Sequence, residues 1–237
     1  GGKWSHMMDQ THIGYTYWQQ PPFNKMPEVK YVDAAATIKK TEAAQVNEPA
    51  HKTYTYSPFD SRAVNEFYEK DGYVSIEAAH FSRALGLPDI KWQVIPNLGK
   101  TGSALTPFPA TAKAQVLSPK SPHVFYIFYT SDTGLIKLHT YLSPTLNFHN
   151  EGLRYAISID EETPQVINMH EGYNEGIWNG WVANNNIDKV SEHRIQKGGR
   201  HVLKFWMVDP GVVIQKLIVD FGGMKKSYLG PPETKIK

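Results

Sequence analysis

Hydrophobic and polar positions alternate along most of the chain beyond Gly72, most clearly in GGRHVLKFWMVDPGVVIQKLIVDFGG, Gly198 to Gly223. His201, Leu203, Phe205 and Met207 fall on one face and Val202, Lys204, Trp206 and Val208 on the other, the period of a strand with no helical stripe. Asp209-Pro210-Gly211 ends the run. Pro210 presets φ for the first corner of a turn, Gly211 accepts positive φ at the next, and the Asp209 carboxylate can accept from turn amides. Val212 to Val219 follows, β-branched or aliphatic except at Gln215 and Lys216. The stretch therefore predicts two long strands joined by a tight turn, the second buried on both faces at the centre of a sheet.

The same texture recurs upstream. Tyr73, Ser75 and Glu77 alternate with Val74, Ile76 and Ala78; Pro88 and Pro96 bracket Ile90 to Ile95; Val124 to Tyr129 is an aromatic run. Leu135 to Tyr141 alternates, Leu153 to Ile159 and Gln165 to Met169 flank an acidic turn, and Ile187 to Ile195 leads into the opening stretch. About ten short strands spaced by turn chemistry predict an all-β fold, an antiparallel β-sandwich of the jelly-roll, galactose-binding-like kind, over residues 72–237. Residues 1–71 lack this period and predict an irregular linker. Trp4, Tyr15, Tyr17 and Trp18 lie there among glycines and prolines, and such aromatics suit anchors laid on another surface. Asp33 to Val46 fits either a short helix capped by Asp33 or a linker, and residues 47–60 read as an extended connector.

Composition narrows the function classes. The chain has 237 residues, 41% of them hydrophobic, a formal charge of +2 and no cysteine. Its balanced charges form no basic cluster, and no stretch approaches the roughly 20 apolar residues of a membrane span, so neither nucleic acid nor membrane is an expected partner. Without cysteine there are no disulfides, thiolate metal sites or thiol nucleophiles. The opening Gly1-Gly2-Lys3-Trp4, without an initiator Met or a signal-type apolar segment, predicts a segment cut from a longer protein.

Most short motifs reduce to structure. Asp132-Thr133-Gly134 matches the tripeptide of aspartic proteases but occurs once, where a hairpin turn between Val124–Tyr129 and Leu135–Tyr141 accounts for it. Gly99-Lys100-Thr101 lacks the glycine that a phosphate loop needs five positions earlier, where Val94 stands. Lys100-Thr101-Gly102 has no Ser-x-x-Lys partner. Asp160, Glu161 and Glu162 are adjacent, as in a solvated turn, whereas a glycosidase needs carboxylates facing across a cleft. The histidines show no i, i+4 pair, so no metal and no cofactor are expected. One stretch invites a ligand. HEGYNEGIWNGWVANNN, His170 to Asn186, predicts a long loop with Tyr173, Trp178 and Trp181 among glycines and asparagines. Aromatic faces there would stack on sugar rings while side chains such as Asn184 and Asn186 bond hydroxyls; the alternative, which buried tryptophans commonly follow, is that they plug the end of the sandwich.

Several strings carry a family resemblance: Gly72 to Ala78 (GYVSIEA), Leu142 to Phe148 (LSPTLNF), Gly152 to Ala156 (GLRYA), Leu203 to Gly211 (LKFWMVDPG) and Tyr228 to Glu233 (YLGPPE). Together with Met7 to Tyr15 and Asn24 to Pro27 they resemble the C-terminal region of glycoside hydrolase family 115, α-glucuronidases that remove (4-O-methyl)-glucuronic acid from xylan. The resemblance covers roughly residues 4–32 and 72–233, with residues 33–71 shorter than in the family. It implies catalytic residues upstream of Gly1 and a non-catalytic domain here. It also implies a catalytic domain of the same polypeptide as partner, a periplasmic or secreted location, and bracing of that domain or formation of a homodimer. The alternative is a carbohydrate-binding module for a xylan-type polysaccharide. The terminal domain also resembles family 6 and 35 binding modules, whose opening Glu-Ala-Glu reads Glu77-Ala78-Ala79 here and whose frequent Asp is replaced by Gln215. Those two changes argue against a structural calcium ion.

Overall fold

The computed structural model describes residues 65–149 and 151–235. The aromatics Trp4, Tyr15, Tyr17 and Trp18 and the stretch Asp33 to Val46 lie outside the described residues. Twelve strands are described: β1 Glu66–Tyr68, β2 Tyr73–Glu77, β3 Arg83–Leu85, β4 Lys91–Ile95, β5 Ala104–Phe108, β6 His123–Thr130, β7 Gly134–Leu142, β8 Arg154–Ile159, β9 Gln165–Asn168, β10 Ile187–Ile195, β11 Gly199–Met207 and β12 Ile214–Asp220. One α-helix, α1 Glu175–Asn184, stands between β9 and β10.

The strands form two sheets of six. One runs β1-β6-β11-β8-β9 with β3 also on β6; the other runs β10-β7-β12-β5-β4 with β2 on β12. Every pairing is antiparallel except β1 with β6. The fold is an antiparallel β-sandwich, and its first strand precedes Gly72. β12 is central as its sequence predicts, flanked by β7, β5 and β2, with Ile214 to Val219 all buried. In β11 the alternation also holds: His201, Leu203, Phe205 and Met207 are buried toward the core, where Tyr155 stacks on Phe205 at 4.9 Å. Offset aromatic pairs of this kind add to the stabilisation from burial alone.

The turns depart from expectation. β11 and β12 lie in different sheets, so Asp209-Pro210-Gly211 is an arch over the edge of the sandwich. Gly211 has φ +81°, and a Cβ there would meet the Phe148 ring at 2.6 Å, so the arch needs glycine twice over. Asp209 does not serve its turn. Its buried carboxylate takes Arg154 Nε at 2.8 Å, Arg154 Nη2 at 3.1 Å and the Arg154 amide at 2.8 Å. Asp132-Thr133-Gly134 is likewise an arch between sheets, from β6 to β7, and not a hairpin; the Glu69 carboxylate accepts the amides of Ser131 and Asp132 there. A turn motif fixes a local reversal, and whether the next strand pairs or crosses depends on the core.

The acidic turn is also less solvated than its composition suggests. Glu161 is exposed, but Asp160 bonds His201 Nδ1 at 2.7 Å and Glu162 bonds His193 Nδ1, whose Nε2 lies 2.8 Å from Ser191 Oγ. The last chain has the connectivity of a hydrolytic relay. Ser191 at 8% exposure and His193 at 3% are walled in, however, and Gln165 reaches the Glu192 carbonyl beside them. This is a polar seam that satisfies buried groups between β9 and β10.

Candidate functional site

His170 builds the site from below. It is buried after the end of β9, and its Nδ1 accepts from the Leu153 amide at 3.1 Å while Nε2 faces the Thr145 carbonyl at 2.8 Å. An amide can only donate and a carbonyl only accept, so the ring is neutral with its proton on Nε2. Fixed in this way, it packs against Tyr173 and Trp181, each with ring centroids 6.3 Å from its own.

The stretch expected to be a long loop then folds into α1. Asn174 is its N-cap, with Oδ1 accepting from the Ile177 amide at 2.9 Å, and Glu175 in the first turn suits the positive end of the helix. Asn185 ends it in the left-handed region at φ +47°, and the amides of Asn185 and Asn186 return to Val182 and Trp181. Asparagine tolerates that conformation at small cost. The glycines at 176 and 180 weaken the helical signal in the sequence, and the caps and the packing beneath α1 outweigh them.

Helical spacing places Trp178 and Trp181 on one face, 6.4 Å apart and edge to face. Tyr173 lies 6.1 Å from Trp178 and 6.3 Å from Trp181, so the three rings make one cluster. No residue of α1 is buried. Trp181 leans on the main core, Trp178 is partly exposed, and Tyr173 is 50% exposed. The cluster is therefore a half-open aromatic surface, and the tryptophans are not sealed plugs.

A cation absent from the stretch itself arrives from β10. Lys189 Nζ lies 5.6 Å from the Trp181 ring centre and donates to the Glu171 carbonyl at 3.0 Å. Burial holds this ammonium below the ordinary lysine range, with the Glu171 carboxylate opposing the shift. Lys189 lies just outside the stretch read as the site, and only the return of β10 past α1 brings it to the rings.

The asparagines behave differently. Asn184 Nδ2 donates to the Gly180 carbonyl at 2.8 Å, within the helix, and Asn186 Oδ1 is buried without a partner among the described residues. Gln215, read from sequence only as a replaced acid, is 2% exposed and well used. Its Oε1 accepts from the Lys100 amide at 3.0 Å, and its Nε2 donates to Ser143 Oγ at 3.0 Å and to the Asn185 carbonyl at 2.9 Å. Next to it, Lys216 Nζ sits 3.1 Å from Glu77 Oε1, 3.1 Å from the Pro231 carbonyl and 3.4 Å from the Leu229 carbonyl. Among the described residues no group of three His, Cys, Asp or Glu side chains is placed to hold a metal ion.

A family model described as the glycosyl hydrolase family 115 C-terminal domain matches residues 66–233. No curated protein matches the chain. Among solved structures it is similar to a family 115 4-O-methyl-α-glucuronidase with specificity for decorated arabinogalactans, at 18% identity and a TM-score of 0.48 over 64% of this chain. This chain spans 18% of the length of that enzyme. It is also similar to the C-terminal family 6 binding module of a laminarinase from Zobellia galactanivorans (12% identity, TM-score 0.41, 62% of this chain and 98% of the module). A family 35 carbohydrate-binding module from Clostridium thermocellum matches at 14% identity and a TM-score of 0.43, over 62% of this chain and 97% of the module.

Proposed function

We propose, given that this chain belongs to the family of glycosyl hydrolase family 115 C-terminal domains, that it is the non-catalytic end of an α-glucuronidase and holds the glycan substrate through α1. The observation that carries this reading is the cluster of Tyr173, Trp178 and Trp181, three rings in mutual contact, two pairs edge to face and one tilted, with none of them buried. Rings fixed against one another present stiff apolar faces at little further entropic cost, the surface on which a sugar ring stacks. The Lys189 ammonium at its border adds a donor for hydroxyl or carboxylate groups. Catalysis then belongs to upstream domains of the same polypeptide, and a polysaccharide substrate puts the enzyme in the periplasm or outside the cell.

The test is titration of the 237-residue chain with glucuronoxylan, unsubstituted xylan and aldouronic oligosaccharides, read by calorimetry or tryptophan fluorescence. Saturable binding to at least one is expected, weakened more than tenfold in a Trp178→Ala, Trp181→Ala variant that still melts cooperatively. Silence with all three overturns the reading. A second reading, bracing of the catalytic body or dimerisation, draws on Leu146 at 70% and Phe148 at 51% exposure, on the loop that His170 holds beside the cluster. Under it the wild-type chain binds no sugar, and sedimentation shows a dimer that a Leu146→Asp, Phe148→Asp variant dissociates.

A further inference from the structure

We infer that Tyr228 and Lys100 form a second saccharide subsite, so that this domain takes an extended glycan chain laid across one end of the sandwich from α1 to Tyr228. The inference rests on the proposed sugar-binding role of α1 and specifies the ligand as polymeric.

Tyr228 is 64% exposed, yet it is not a loose tip. The Lys100 ammonium sits 4.1 Å from its ring centre and donates to its carbonyl at 2.8 Å, so ring and loop are pinned to each other. Ser227 Oγ closes the turn onto the Gly230 carbonyl at 3.1 Å. On either side of this pair the anchors are buried. The Lys100 amide is held by Gln215, and the Leu229 and Pro231 carbonyls are held by Lys216. An exposed aromatic tied down from two sides is preorganised for contact, with little rotamer freedom left to lose on binding.

The same anchors place this subsite near the first. Gln215 is the extra residue of a β-bulge, the register of β12 against β7 shifting between Ile214 and Lys216. Bulges re-aim side chains, and here the Gln215 amide reaches two surface elements at once. With one end on the Lys100 amide and the other on the Asn185 carbonyl, it keeps those two atoms within about 8 Å of each other. Asn185 is the C-cap of α1, one helical turn from Trp181. Two consecutive residues of the central strand thus carry three surface elements: the Lys100 loop, the Tyr228 turn and the end of α1. Each aromatic site has its own lysine, Lys189 beside Trp181 and Lys100 over Tyr228. A ligand long enough to touch both aromatic sites must be a chain of several sugars.

The test uses the full chain with xylo-oligosaccharides and aldouronic oligosaccharides graded from disaccharide to octasaccharide, by calorimetry, for the wild type and for Tyr228→Ala and Trp178→Ala. The inference expects wild-type affinity to climb with length. Tyr228→Ala should lower affinity for the longest members about tenfold and leave the shortest unchanged, with no shift in melting temperature. Trp178→Ala should weaken every length. Affinity independent of length, or a Tyr228→Ala variant indistinguishable from wild type, overturns the second subsite and leaves α1 as a single-site binder. A wild type that binds no member of the series overturns both readings together.

Discussion

Single side chains in this domain act mostly as fasteners between segments distant in sequence. His80 is a fastener whose strength depends on its charge. Its Nδ1 lies 2.7 Å from Glu233 Oε1, which also accepts the Glu77 amide at 3.0 Å, so the C-terminal tail is bound across β2 and the turn after it. The Glu233 carboxylate lifts His80 above the ordinary imidazole range; partial burial and Lys235 oppose the shift and Glu77 adds to it. A raised folded-state value means that the protonated form binds better in the fold. The contribution is therefore complete below about pH 6.5, the unfolded value, and is lost as the pH rises through the raised one. The expected outcome is faster amide exchange of residues 233–235 as the pH climbs from 6 to 8, beyond the intrinsic base-catalysed increase. A Glu233→Gln variant, whose tail lacks the charge, should lose that pH dependence.

At the scale of an element, α1 decides whether the aromatic cluster exists. It is short, carries two internal glycines and buries no residue, so its stability depends on its ends more than that of a core helix would. Asn174→Ala removes the side chain that satisfies the Ile177 amide and should cost about 1 kcal/mol locally. Hydrogen exchange should report the loss in residues 175–184 while the global melting temperature barely moves. Glycan binding should weaken, since the tryptophans would be held less firmly. A fall in global stability without local exchange would instead make α1 part of the cooperative core.

For the whole molecule, the arches between sheets matter most. The arch at Asp209 carries the chain from β11 to β12, and the Arg154 pair ties it to β8, so one buried carboxylate joins the arch to the sheet that β11 leaves. Asp209→Ala leaves Arg154 and its amide without their acceptor and should destabilise the sandwich by about 3 kcal/mol, seen as a lower denaturation midpoint with an unchanged slope. Asp209→Asn, which keeps an acceptor for the amide, should cost less.

Much of this architecture was legible in the residues. Period-two alternation located β2, β7 and β11, bracketing prolines located β4, and the run of Val212 to Val219, polar only at Gln215 and Lys216, marked β12 as central, because only a strand covered on both faces can bury both sets of side chains. The three-residue strands β1 and β3 are too short to show a period, and Pro107 breaks the pattern of β5. The helix at Glu175–Asn184 was hidden by its glycines and asparagines, whose local preference is for turns. Tyr173, Trp178 and Trp181 stood out by residue type, but Lys189 did not, since strand alternation gives a side chain its face and not its neighbour.

The sequence by itself determined the all-β class, the strand faces, the turn positions and which aromatics were available, because these follow from side-chain period and from the φ preferences of proline and glycine. Only the tertiary structure decided which turns are arches and which hairpins, that the tryptophans lie half open, that Lys189 borders Trp181, and that Gln215 ties the Lys100 amide to the end of α1. Those outcomes depend on which faces the core pulls together, a balance among residues far apart in sequence, 159 positions at Ser75 and Thr234. No local pattern encodes that balance.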